Sequence, residues 1–171
     1  MIGLRFVMES IQFMGSGKSN LYPSLAQSAN NQPSIYISAN TVVHASTGTF
    51  LKNSNRLKSG GHGQANIEEM KRRGIKFVIK KTFPNGVRLG YVPRHCEKRR
   101  RSLSEGQIGQ LWFPKNWTES DIRKASKAIL KFHKGEIKNG IKIVGWYNNV
   151  KVGIIINNHQ ITTIFPTKEQ E

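Results

Sequence analysis

Three runs rich in β-branched residues close the chain: IKIVGWY (141–147), VKVGIII (150–156) and QITTIF (160–165), separated only by NN and NNH. Connections this short cannot cross over a sheet, so each strand must turn back beside its predecessor. Asparagine tolerates the left-handed backbone that such tight turns need. Antiparallel pairing of these three strands is therefore expected.

Upstream, the pattern alternates between helix and strand. Residues 64–73 read as a short helix, with Ile67 and Met70 on one face and Gly74 as its stop. IKFVIKKTF (75–83), a PNG turn and VRLGYV (87–92) predict a hairpin, and QLWFP a further strand. Thr118 caps a helix from Glu119 to about His133, whose apolar positions Ile122, Ala125, Ile129 and Phe132 recur at helical spacing, with Gly135 as its stop. Trp112, Trp117 and Trp146 are expected in the core. Short helices followed by antiparallel sheets make an α+β fold. Residues 15–41 are rich in Ser, Asn, Gly and Pro, so residues 1–40 read as a lead-in and 41–171 as the domain. GSGKS at 15–19 mimics a phosphate loop, but Gln12 stands where the first glycine is required and Pro23 interrupts the following helix.

Composition narrows the function. The 27 Lys and Arg against 10 Asp and Glu give a formal charge of +17, the footprint of a polyanion-binding protein. Nucleic acid is the first partner to consider. Anionic membrane comes second, but no basic amphipathic helix carries Trp or Phe on an apolar face, so no stable membrane association is expected. The N-terminal MIGLRFVMESIQFM, interrupted by Arg5 and Glu9, does not read as a secretory signal. Cys96 is the single cysteine, which rules out an internal disulfide or a thiolate cluster; beside His95 it reads as a bystander thiol. Asp121 is the only aspartate, and the nine glutamates are scattered. Nothing here makes the paired-carboxylate cage that hard cations need, so neither a metal nor another cofactor is expected.

A basic chain without such a cage can still cut RNA. Attack by the 2′-OH needs a base for its proton, an acid for the departing 5′-oxygen, and a cation to steady the phosphorane. Histidine serves the first two roles near neutral pH. His62 lies in GGHG, where the backbone can approach a phosphate and the 64–73 helix adds the positive end of its dipole. His44 lies in HASTGTF, a Ser/Thr/Gly-rich stretch read as a loop. His95 competes for a catalytic role, whereas His133 and His159 read as structural. Arg94, Lys98, Arg99, Arg100 and Arg101 form a run suited to gripping phosphates.

H-x-x-x-G-x-F at 44–50, GGH at 60–62, WFPKNWTESDI at 112–122 and ITTIFP at 161–166 together resemble the EndoU endoribonuclease domain over about residues 41–166. Its bacterial form is common as a C-terminal toxin of contact-dependent and other secreted polymorphic toxins, and the coronavirus uridylate-specific endoribonuclease is a distant relative. The resemblance implies an RNase A-like catalytic core and a metal-independent, lyase-type cleavage of single-stranded or loop RNA to a 2′,3′-cyclic phosphate. It implies His44 and His62 as the acid–base pair, Lys115 as the phosphate-stabilising cation and Thr163 as a nucleotide contact. Phe165 falls where the family has a tyrosine; it can stack on a base but offers no hydroxyl, which weakens the case for uridine preference. The resemblance also implies delivery from a secreted or cell-surface toxin into a target-cell cytoplasm, and an acidic immunity protein as partner. A non-enzymatic RNA-binding module and a DNA nuclease of the same fold are the alternatives.

Overall fold

The computed structural model describes residues 34–93, 95 and 109–171. The chain divides into two units, Met1–Gln32 and Pro33–Glu171, and all the described residues lie in the second. Arg94, Cys96 and residues 97–108, among them Lys98, Arg99, Arg100 and Arg101, lie outside the described residues.

The first element, α1 (Ala39–Ser46), starts where the Ser38 side chain accepts a hydrogen bond from the Thr41 amide. Val42 and Ala45 are buried on its inner face. A loop was expected here from the Ser, Thr and Gly of HASTGTF, and Thr41, Val42 and Val43 are poor helix formers; burial against α3 (Glu119–Phe132) and β8 (Gln160–Pro166) overrides that propensity. The short strands β1 (Thr49–Phe50) and β2 (Leu57–Ser59) form a two-stranded ribbon that the sequence pattern did not reveal. Helix α2 (Gln64–Arg72) follows as expected.

The PNG hairpin is present as β3 (Val78–Thr82) and β4 (Arg88–Tyr91), and β5 (Gln110–Trp112) adds to it antiparallel, giving the order β3-β4-β5. The closing strands β6 (Ile141–Tyr147), β7 (Val150–Asn157) and β8 pair antiparallel in chain order. Their turns carry consecutive positive φ angles, 46° and 60° at Asn148 and Asn149, and 47° and 56° at Asn158 and His159. Two left-handed central residues suit the right-handed twist of a tight hairpin. The fold is α+β, as the sequence implied.

Helix α3 is held by a reciprocal cap, with the Thr118 side chain accepting from the Asp121 amide and the Asp121 carboxylate accepting from the Thr118 amide. Ile122, Ala125 and Ile129 face the sheet and are buried. The helix ends at Phe132 with His133 as its C-cap, close to the expected end, but Phe132 is 75% exposed rather than part of the apolar face. No helix among the described residues is long and apolar enough to cross a membrane.

Two apolar clusters result. The larger joins α1, α3 and the inner face of β6-β7-β8; the smaller gathers Leu57, Ile67, Met70, Ile75, Val92 and Trp112. Strand β5 belongs to both, because alternate residues point to opposite faces of a strand. Leu111 and Phe113 enter the larger cluster, while Trp112 between them enters the smaller. The GGHG segment is hydrogen-bonded to β5 and Phe113 at this seam.

Candidate active site

The GGHG loop is fastened to the end of α1. A helix leaves its last carbonyls without intrahelical partners, and here the amides of Gly61, His62 and Gly63 donate to the carbonyls of His44, Ala45 and Ser46 at 3.0, 2.6 and 2.8 Å. His44 is thus in the last turn of a helix, not in a loop, and one ladder of backbone bonds joins it to His62. Gly60 is essential to this contact. Its φ is +69°, and a Cβ there would run into the carbonyl and ring of His44.

The loop is gripped from its other side by β5. The Gln110 amide donates to the carbonyls of Gly60 and Gly61 at 3.1 and 2.6 Å. Asn66, fully buried at the start of α2, donates to the Thr47 carbonyl and accepts from the Trp112 indole. Phe113 donates its amide to the His62 carbonyl at 2.6 Å. These ties set the loop's height above the sheet.

His62 is 4% exposed, and its Nδ1 lies 2.7 Å from the Leu111 carbonyl. A carbonyl can only accept, so Nδ1 must carry the proton. Nε2 is then the nitrogen that accepts in the neutral ring and donates in the cationic one. In His44, Nδ1 lies 2.9 Å from the Thr49 hydroxyl, which can donate or accept. That bond orients the ring without fixing its tautomer.

A cavity of about 330 Å3 opens beside His62, lined by Leu111, Lys142, Ile155, Thr163, Phe165 and neighbouring residues. The His62 and Phe165 rings stand 6.4 Å apart between centroids, and the Lys142 ammonium lies 5.7 Å from the Phe165 ring centre. His62, Thr163 and Phe165 are therefore brought to one cavity. His44 and Lys115 do not line it. Lys115 is exposed, two residues beyond the Phe113 amide that bonds His62. Its charge reaches α2, where Glu68 is held below the usual carboxylate range first by the Gln64 amide, then by Lys71 and Lys115.

His95 is buried at 4% exposure, its amide donating to the Val92 carbonyl, and it does not line the cavity. His159 occupies the β7–β8 turn and receives the Tyr36 amide on its carbonyl, a structural position. Trp146 corrects the expectation of a buried tryptophan: it is 44% exposed, whereas Trp112 is fully buried and Trp117 stacks on Phe113. Strand alternation explains this, since Ile143 and Tyr147 on β6 turn toward the core and Val144 and Trp146 turn away.

Arg88 and Lys142 escaped the sequence reading. Arg88 is 8% exposed, and its guanidinium donates to Gln64 Oε1 and to the Phe113 carbonyl, both at 2.6 Å. It bridges the segment carrying His62 to the segment carrying Lys115, and burial lowers its pKa. VRLGYV reads as an ordinary strand, and a buried arginine held by neutral oxygens has no sequence signature. Lys142 could have been found from its register, which places it opposite Ile155 and, through it, Thr163.

A basic α+β domain with one histidine fixed over a cavity and a second bound to the same loop has the parts of a nuclease. The chain belongs to the family described as "Bacterial EndoU nuclease", whose family model matches residues 38–168. No curated protein and no solved structure matches it.

Proposed function

We propose that this nuclease is a metal-independent endoribonuclease that cuts single-stranded or loop RNA by transesterification. The observation that carries this reading is the Nδ1 bond of His62 to the Leu111 carbonyl, which commits Nε2 to proton transfer at the edge of a cavity lined by Thr163 and Phe165. His62 and His44 act as the acid–base pair. One removes the 2′-OH proton as O2′ attacks phosphorus; the other protonates O5′ as the P–O5′ bond breaks. The products are a 2′,3′-cyclic phosphate and a 5′-hydroxyl. Lys115 steadies the phosphorane charge. Phe165 stacks on the base 5′ to the cut, and Thr163 contacts that nucleotide. Arg94, Lys98, Arg99, Arg100 and Arg101 supply sequence-independent phosphate contacts. No metal or cofactor enters the scheme.

The biological role proposed with it is that of a toxin domain, delivered from a secreted or cell-surface protein into a target cytoplasm and neutralised by an acidic immunity protein. A charge of +17 favours such a partner electrostatically. The enzymatic reading is tested by incubating the purified chain with total RNA and with DNA, each in excess chelator. RNA fragmentation with intact DNA is the expected outcome; cleavage of DNA, or of RNA only after metal is restored, contradicts it.

A further inference from the structure

We propose that Trp146 is a second base-stacking platform, holding a nucleobase beyond the immediate neighbour of the scissile nucleotide in the Phe165 cavity, on the same single strand. The inference rests on the ribonuclease reading and extends its substrate contacts beyond the cavity.

The register of the closing sheet carries the argument. Directly paired residues share a face. Lys142 pairs with Ile155 and Ile155 with Thr163; Val144 pairs with Gly153 and Gly153 with Phe165; Trp146 pairs with Lys151. Thr163, Phe165, Lys142, Val144 and Trp146 therefore lie on one face of the sheet, opposite the face that packs on α3. Strand spacing puts Trp146 about 12 Å from Phe165, within reach of the same strand.

The chemistry repeats along this face. Lys142 lies 5.7 Å from the Phe165 ring centre, and Lys151 lies 5.7 Å from that of Trp146. Each aromatic thus has an ammonium beside it, the pairing that suits a base and its adjoining phosphate; that of Lys151 is held by the Glu169 carboxylate at 2.7 Å, which an incoming phosphate would displace. Gly153 lets the Phe165 ring lie across β7 toward β6, since a Cβ there would meet that ring at 2.7 Å. Val144, 38% exposed, forms the apolar floor between Lys142 and Trp146.

Trp146 itself has room for a ligand. It borders a cavity of about 530 Å3 with Pro84, Asn85, Asn149 and Glu171. Leaving 44% of an indole in water forgoes hydrophobic stabilisation that the inward positions of β6 would supply. Lys151 beside it and Lys142 further along the same face, on a chain of charge +17, favour nucleic acid over an apolar partner.

The test uses the full chain, a single-stranded RNA of about a dozen nucleotides made uncleavable by 2′-deoxy substitution, and a dinucleotide too short to reach Trp146. Binding of the longer RNA is expected to quench indole fluorescence, and Trp146→Phe to remove most of that quench while retaining affinity. Trp146→Ala should weaken the longer RNA on the order of 10-fold more than the dinucleotide. Equal penalties on both ligands, or an unaltered Kd for the longer RNA, overturn the proposal. A Trp146→Ala variant that loses RNA but still binds an acidic polypeptide as wild type supports it; loss of the acidic polypeptide alone identifies a protein-docking face instead. If the wild-type chain cuts RNA and only the Trp146 results fail, the ribonuclease reading stands without this extension. If it neither binds nor cuts RNA, both fall.

Discussion

Gly60 fixes where His44 can stand, and a single methyl group tests this. Its positive φ and the His44 carbonyl both oppose a Cβ. Gly60→Ala should therefore cost more than about 1 kcal/mol, read as a shift in denaturant midpoint. It should also slow cleavage as the His44 ring is displaced; full activity in the folded variant would show that the ring position is not critical. His44→Ala and His62→Ala should each lower the single-turnover rate on the order of 10²–10⁴-fold while leaving RNA affinity nearly intact. Lys115→Ala should do comparable damage, and His95→Ala far less. A dead His95→Ala with an active His44→Ala would reverse the assignment. Arg88 acts at one remove, by holding Gln64 and the Phe113 carbonyl together. Arg88→Met leaves both acceptors unpaired at a cost of about 1–3 kcal/mol each. Arg88→Lys should recover little, because an ammonium lacks the planar fork that spans the two.

At the level of elements, α3 offers a pH test. Two hydrogen bonds from Thr118, the backbone one first, hold the Asp121 carboxyl below its ordinary value. A depressed folded-state pKa means stabilisation that is fully present above the unfolded value and is lost as pH falls through the folded one. Acid titration from pH 5 downward should therefore erode the cap, and Thr118→Ala, costing about 1 kcal/mol at pH 7, should flatten that part of the stability profile. An unchanged acid limb in Thr118→Ala would show that the Thr118 hydroxyl contributes nothing to it, the backbone bond to Asp121 being retained.

This helix was legible because cap, period and buried face agreed within one segment, and the closing strands were legible because asparagine turns left only one way to pair. Helix α1 was not. Its β-branched residues argue against a helix, and what stabilises it is α3 and β8, distant in sequence. The same limit applies to the site. Gly60 and His62 announced a tight loop, but the bond from His62 to Leu111 joins residues 49 apart, and only the folded chain shows which nitrogen is committed. Trp146 was misread because hydrophobicity alone does not say which face of β6 is covered.

For the whole molecule, a charge of +17 predicts RNA binding that weakens steeply with salt. If Arg94, Lys98, Arg99, Arg100 and Arg101 make about five phosphate contacts, log K should fall against log salt with a slope of roughly −3.5 on single strands. Replacing Arg99, Arg100 and Arg101 by Ala should flatten the slope by about two units; an unaltered slope would place that run away from the substrate.

The central claim is that the RNA's own 2′-OH is the nucleophile, with two histidines moving the protons. It is tested most directly by an RNA carrying one 2′-deoxy nucleotide immediately 5′ of the scissile phosphate, compared with its all-ribose parent in chelator. The parent should be cut to a 5′ fragment one water lighter by mass than the linear phosphate, the signature of a 2′,3′-cyclic end. The deoxy strand should bind, since its phosphates are intact, and resist cutting at that position. Efficient cleavage of the deoxy strand at the same phosphate would contradict the account.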